Sequence, residues 1–475
     1  MTSARAFSCA ALLALLAGCA SPPIRDLVLE DQHASRVEAA RRAGIDAATA
    51  DPTDRARVAA RVRALLSGPL TEEQAVAVAL VNDREILAAY ARLGIARAEV
   101  VQAGLFTNPV VSGNAKRFSK GTEIEASLVT SALDAFLRPL RVRVAEAQFQ
   151  AERTRLTREL VRAAYETRRA YAEVVAAGDL VTLRGAAVES AEGARRLMKR
   201  LFDAGNVTGL AMAREDAAVG RARLDLHAAE SAEREARERL NARMGAWGEL
   251  TAWTAAPDAR RVPPPDLDRI ESRAVQASLD LAAERAAVEA VAQAAGLLEW
   301  QGVVPALEVG AAAKREAGDG WGVGPDVALE LPLFDRGQAR NAAARAELDA
   351  RLAEFEETAV HVRRAARVFR DRVLTLRERE RYLRESYLEA RRRAADEAMV
   401  LSTEMGGGAC GEMVAGRVGA GGAADRIATR HALRLAELDV EELLAGRLDV
   451  ERAGEFHVPE GSSAESPESG AGEEH

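Results

Sequence analysis

Leu331-Pro332-Leu333-Phe334-Asp335-Arg336-Gly337-Gln338 closes a short run of alternating apolar residues and opens more than a hundred residues without a proline. It has an earlier counterpart. Subtracting 198 places Phe334 on Phe136, Arg336 on Arg138, Gly337 on Pro139 and Ala343 on Ala145. The same offset carries Val309-Gly310-Ala311-Ala312-Ala313-Lys314-Arg315 onto Val111-Ser112-Gly113-Asn114-Ala115-Lys116-Arg117. A strand-rich stretch and the helix after it are therefore both duplicated, and the chain reads as one strand-strand-long-helix unit built twice.

The composition agrees with long helices. Aromatic residues are 4% of the 475 residues and charged residues 29%, which favours closely packed, alanine-rich helices over a thick globular core. The net charge of -8 has no basic concentration to match it, because Lys and Arg alternate with Asp and Glu along the chain. That argues against nucleic acid as a partner.

Residues 1–18 carry Arg5 and then an apolar run ending in Leu16-Ala17-Gly18-Cys19. The pattern predicts a secretory signal, and the final tetrapeptide resembles the bacterial lipobox, in which the cysteine thiol is acylated and becomes the first mature residue. Cys19 is thus the predicted lipidation site. Ala20 stands where an aspartate would retain a lipoprotein in the inner membrane, so outer-membrane sorting is expected. Cys410 would then be the one remaining thiol of the mature chain, leaving no disulfide. No mature segment reaches the roughly twenty consecutive apolar residues of a spanning helix, so any membrane passage must use strands closed into a barrel.

Residues 19–70 read as an irregular, partly helical leader. Leu70-Thr71-Glu72-Glu73-Gln74 then predicts a helix start with Thr71 as N-cap and Gln74 completing a capping box, the helix running towards Gly104 until Asn108-Pro109 breaks it. Alternation over residues 110–133, clearest in Glu123-Ile124-Glu125-Ala126-Ser127-Leu128, predicts a hairpin, and residues 306–334 predict a second. Four strands cannot close a barrel, so a pore made of them requires several copies. From residue 140 to 203 apolar positions recur at three, four and seven, and a helix of that length would measure roughly 95 Å. Asp203-Ala204-Gly205-Asn206-Val207-Thr208 supplies a turn, and a return helix covers residues 210–244. The plan divides into a first repeat, 71–256, and a second, 257–450, whose long helix runs from Gly337 to about Met399. The glycines from Gly406 to Gly422 argue against a regular helix there, which would resume only near Ile427. Residues 451–475 form an acidic tail expected to be disordered.

Assembled, these residues resemble the TolC-type outer-membrane efflux family, specifically its lipidated branch. The matching segments are Ala96-Arg97-Ala98-Glu99-Val100-Val101-Gln102-Ala103-Gly104-Leu105-Phe106-Thr107-Asn108-Pro109, the Leu331 to Gln338 stretch, and Ala204-Gly205-Asn206-Val207-Thr208. The resemblance implies a mainly α fold with a small β part, in which three chains contribute four strands each to a twelve-stranded transmembrane barrel continued by an antiparallel helical barrel. It implies a passive conduit for small solutes such as drugs or metal ions, a periplasmic adaptor and an inner-membrane pump as partners, and no cofactor beyond the lipid on Cys19. Asp203, Gly205, Asn206 and Thr208 become candidates for the adaptor-contacting tip. Two positions depart from the pattern: Ala211 stands where an acidic residue often follows the tip, and Gly209 replaces a polar one. The second tip, residues 402–422, is glycine-rich instead of resembling the first.

Six histidines are scattered without ligand spacing, which argues against a metal site. No nucleophile-base set or phosphate loop is present, so an enzyme is not expected. The alternative reading is a periplasmic structural or adaptor lipoprotein with a long helical hairpin. The duplicated apolar-faced strands separate the two, because an adaptor has no use for them.

Overall fold

The computed structural model describes residues 24–44, 55–119, 121–256, 264–303, 306–316, 320–404 and 408–454. In chain order these form α1 (Ile24–Arg42), α2 (Arg55–Leu66), β1 (Pro69–Leu70), α3 (Glu72–Asn82), α4 (Arg84–Ala103), β2 (Val110–Phe118), β3 (Gly121–Ser131), α5 (Leu133–Asp203) and α6 (Gly209–Met244). The second half comprises β4 (Thr254–Ala255), α7 (Ile270–Ala277), α8 (Leu279–Val303), β5 (Leu307–Arg315), β6 (Trp321–Leu329), α9 (Gln338–Tyr382), α10 (Leu388–Glu404), α11 (Gly408–Ala445) and α12 (Val450–Gly454). A π-helical turn, Leu383–Tyr387, joins α9 to α10 without interrupting the helical path. The 198-residue offset holds throughout: it carries β5 to 109–117, against 110–118 for β2, and α11 to 210–247, against 209–244 for α6.

Two compact units emerge. Among the described residues, the first takes in 24–38, Ala88–Thr157 and Leu281–Thr358. Its centre is an antiparallel sheet in the order β2-β3-β5-β6, so two sequence-adjacent hairpins join edge to edge through β3 and β5. Gly310 makes that junction possible, because a Cβ there would lie 2.2 Å from the Leu128 carbonyl oxygen. Around the helices, Arg97 donates to Asp31 at 2.7 Å and stacks its guanidinium 3.9 Å from the Phe149 ring centroid.

The second unit takes in, among the described residues, Ala39–Leu87, Arg158–Asp280 and 359–454. Val58, Val62 and Leu66 recur at four-residue steps on α2 and enter a core with Leu70, Val78, Tyr171, Leu240, Met244 and Trp253. The parallel pair β1 and β4 sits beside it, with the Tyr171 hydroxyl donating to the Leu70 carbonyl at 2.9 Å. Nearby, Arg169 bridges Asp439 at 2.7 Å and also contacts Glu442, while Arg372 reaches Asp439 at 3.2 Å. Burial opposes the Arg169 charge, but Glu442 and Asp439 outweigh it and hold the guanidinium protonated. Removing one member of such a buried set leaves an uncompensated charge.

The capping box forms as expected: Gln74 N–H donates to Thr71 Oγ1 at 3.2 Å, and Thr71 N–H to Gln74 Oε1 at 2.9 Å. Other expectations are corrected. The leader, read as irregular and partly helical, supplies the helices α1 and α2 where it is described, so its helical part is the larger one there. The helix read as running from Thr71 to Gly104 breaks at Asp83, whose backbone is extended (φ -65°, ψ 131°). Its carboxylate accepts the Glu85 N–H at 2.8 Å, a local bond that competes with helix continuation. The first long helix begins at Leu133 and not at 140, passing through Pro139. Its opening turn is held from outside, since Asp134 Oδ2 accepts the Thr107 N–H and hydroxyl at 2.8 and 2.7 Å.

The largest correction concerns the glycine-rich second tip. Helix α10 reaches Glu404 and α11 begins at Gly408, so most of this stretch is helical, and residues 405–407 lie outside the described set. Packing overrides propensity here. A Cβ on Gly422 would stand 2.9 Å from Leu388 Cδ2 and 3.4 Å from Arg391 Nη1, so the missing side chain lets α10 and α11 approach closely.

Candidate functional site

The sheet has two unlike faces. Register pairs Val111 with Leu128, Leu128 with Ala311, and Ala311 with Pro325, and side chains directly opposite one another share a face. The face that includes these four also carries Ala115, Ile124, Ala126, Val309, Ala313, Trp321, Val323, Val327 and Leu329. The other carries Ser112, Asn114, Lys116, Glu123, Glu125, Ser127, Glu308, Lys314 and Asp326. On this polar face the Ser112 and Ser127 hydroxyls are hydrogen bonded at 2.7 Å, and Lys314 bridges Glu123 at 3.1 Å. Sequence alternation left the parity open. Register closes that question by bringing the apolar sets of four strands together.

Among the described residues the apolar face is open on its outer strands: Val111 is 77% exposed and Val323 76%. The strands are 9, 11, 9 and 9 residues long, the length at which a tilted strand crosses a bilayer's hydrocarbon. Large aromatic side chains stand exposed just past the helix-side ends, at Phe136 (74%) and its repeat counterpart Phe334 (93%). Exposed Trp321 and Phe118 lie at the hairpin-turn end. Within the sheet, β2 and β6 are edges, each with one row of backbone donors and acceptors unpaired by another strand.

The tip residues form one turn. Gly205 adopts φ +75°, its N–H donates to the Phe202 carbonyl at 2.9 Å, and the Asn206 N–H reaches the Leu201 carbonyl at 2.9 Å. That bond pair is a Schellman ending for α5, which glycine enters without a Cβ penalty. Thr208 caps α6 by accepting the Ala211 N–H at 3.3 Å, and Asp203 pairs with Lys199 at 3.1 Å. The side chains of Asp203, Asn206 and Thr208 are exposed. Gly209 and Ala211 fall in the first turn of α6, where the sequence departs from the expected polar and acidic pattern. The structure brings Asp203, Gly205, Asn206 and Thr208 together; Cys19 lies outside the described residues.

No helix of the described residues is long and apolar enough to cross a membrane, and no three His, Cys, Asp or Glu side chains among them are placed to hold a metal ion.

No protein-family model and no curated protein sequence matches this chain. Solved structures do. CusC, studied for folding and transmembrane channel formation, aligns over 79% of this chain and 92% of its own with a TM-score of 0.67 and 15% identity. The outer-membrane channel OprN aligns over 79% and 90% with a TM-score of 0.66 and 20% identity. The CmeC outer membrane channel of Campylobacter jejuni aligns over 80% and 88% with a TM-score of 0.64 and 14% identity. The chain has the TolC-type outer-membrane channel fold.

Sequence reading missed three features of this fold. The anchor at Asp134 joins positions 27 residues apart, with no local pattern to announce it. The continuous apolar face needed the strand register. The equivalence of Arg117 and Arg315 on the apolar face emerges only when strand parity is combined with the 198-residue offset.

Proposed function

We propose that this chain is the outer-membrane component of a tripartite efflux system. Three copies would close the four-stranded sheets into a twelve-stranded barrel, with the apolar face towards lipid and the polar face lining a passive conduit. The helices would extend on the periplasmic side, and the turn at Asp203, Gly205, Asn206 and Thr208 would meet a periplasmic adaptor coupled to an inner-membrane pump. Cys19 would carry the lipid anchor after removal of residues 1–18, and residues 71–256 and 257–450 would be the two structural repeats. Small solutes, drugs or metal ions, would pass without chemical change.

The observation that carries this reading is the two-faced sheet with open edges at β2 and β6. A sheet that exposes a continuous apolar face to water and leaves both edges unpaired is an aggregation hazard; one that meets lipid and two sister sheets has neither defect. The periplasmic adaptor alternative gives these strands no task. Reconstitution of the purified protein in planar bilayers tests the proposal. The expected result is discrete conductance steps from a species whose mass in detergent is three chains. A monomer without conductance would remove the channel reading.

A further inference from the structure

Among strand positions of the apolar face only two are charged, and both are arginines at the hairpin-turn end: Arg117 on β2 and Arg315 on β5. They are the same position of the two repeats, since 315 less 198 is 117. Arg117 lies opposite Thr122 and Arg315 opposite Ile124 of the intervening β3, so the two stand two strand spacings apart laterally, roughly 10 Å. Trp321 lies directly opposite Arg315. Both arginines are exposed, and neither forms an ion pair with a described residue. The nearby Glu123 is occupied by Lys314 on the opposite face.

In each repeat the arginine follows a lysine, Lys116 or Lys314, and strand alternation turns the lysine to the polar face and the arginine to the apolar one. A cation at the edge of an apolar band, with no carboxylate partner among the described residues, is open to an anion supplied from outside. The flat guanidinium fork suits phosphate oxygens in a bidentate arrangement, and an indole beside it suits the boundary between hydrocarbon and headgroups. All four helix connections leave the sheet at one end and both hairpin turns lie at the other. With the helices on the periplasmic side, the arginines stand at the outer leaflet.

The geometry points to a binding surface for a phosphorylated glycolipid of the outer leaflet, gripped by Arg117 and Arg315 with Trp321 at its flank. This rests on the channel reading, which orients the sheet in the membrane. Three copies would present six such arginines around the barrel.

Native mass spectrometry of the full-length protein in detergent, titrated with diphosphorylated lipid A and with its monophosphorylated form, tests the surface. The diphosphorylated form is expected to bind several-fold more tightly to the unaltered protein. The double change Arg117→Gln with Arg315→Gln is expected to weaken it roughly tenfold, while Lys116→Gln with Lys314→Gln leaves it unchanged. Equal binding of the two lipids by the unaltered protein, which needs no variant to fold, would overturn the proposal. So would wild-type affinity in an arginine variant that still gives conductance steps, and that outcome leaves the channel reading intact. A protein that neither inserts nor conducts would overturn both.

Discussion

Asp134 accepts from three donors across two segments of the chain: the Thr107 N–H and hydroxyl, and the Arg141 guanidinium at 2.5 Å. The hydrogen bond from Arg141, helped by those from Thr107, outweighs burial and lowers the carboxyl from 3.8 to about 2. A depressed carboxyl stabilises the fold only while ionised. Its contribution is complete above about pH 4 and is lost as pH falls through about 2. Asp134→Asn is therefore expected to cost about 1–3 kcal/mol at neutral pH, with the gap to the unaltered protein closing towards pH 2. Denaturant unfolding of the detergent-solubilised protein across that range measures it, and a gap that stayed constant with pH would show that the charge contributes nothing. The contrast with Thr71 explains what sequence can disclose at this scale. Thr71 and Gln74 complete each other within four residues, so their pattern is visible in the chain. Asp134 and Thr107 meet only because a hairpin folds back between them.

Strand parity and helix continuity belong to the element scale, and they fared differently for a physical reason. Period-two alternation located both hairpins, and the tip turn was legible because Gly205 must hold a positive φ, which few other residues tolerate. The helix through the glycines was illegible because propensity argues against it while the close approach of Gly422 to Leu388 appears in no local pattern. Which face of a strand meets lipid depends on register with its neighbours, and register places Leu128 among Val111, Ala311 and Pro325 but Ser127 beside Ser112 and Ala312. Near the bilayer midplane an arginine on the lipid side costs about 2–4 kcal/mol. Leu128→Arg is accordingly expected to reduce assembled protein in the outer membrane severalfold, and Ser127→Arg to leave assembly near normal while altering conductance. Fractionation followed by bilayer recording distinguishes them; equal tolerance of both changes would argue against a lipid-facing sheet.

At the scale of the whole molecule, duplication gives two hairpins among the described residues, and the proposed closed barrel needs more strands than these four. Pairing of β3 with β5 uses the inner edges of the two hairpins and leaves β2 and β6 at the outside. In the proposed assembly, closure would join β6 of one chain to β2 of the next, a heterologous contact that forms a ring when the rotation closes. Cysteines on the polar face of these edges report that contact without burdening the lipid side. One cysteine is introduced on β2, at Ser112 or Asn114, and one on β6, at Gly324 or Asp326, because barrel stagger shifts the register by an amount fixed only in the assembly. Mild oxidation in intact outer membranes is expected to produce dimers and trimers on a denaturing gel for at least one combination, with the ladder ending at three chains. With Cys410 changed to serine throughout, proteins carrying one introduced cysteine should give no such ladder, since a β2 cysteine then faces no thiol on β6 of its neighbour. A ladder continuing past three would mean an open chain of subunits in place of a ring, and no cross-link in any combination would mean that the edges of this sheet find their partners elsewhere.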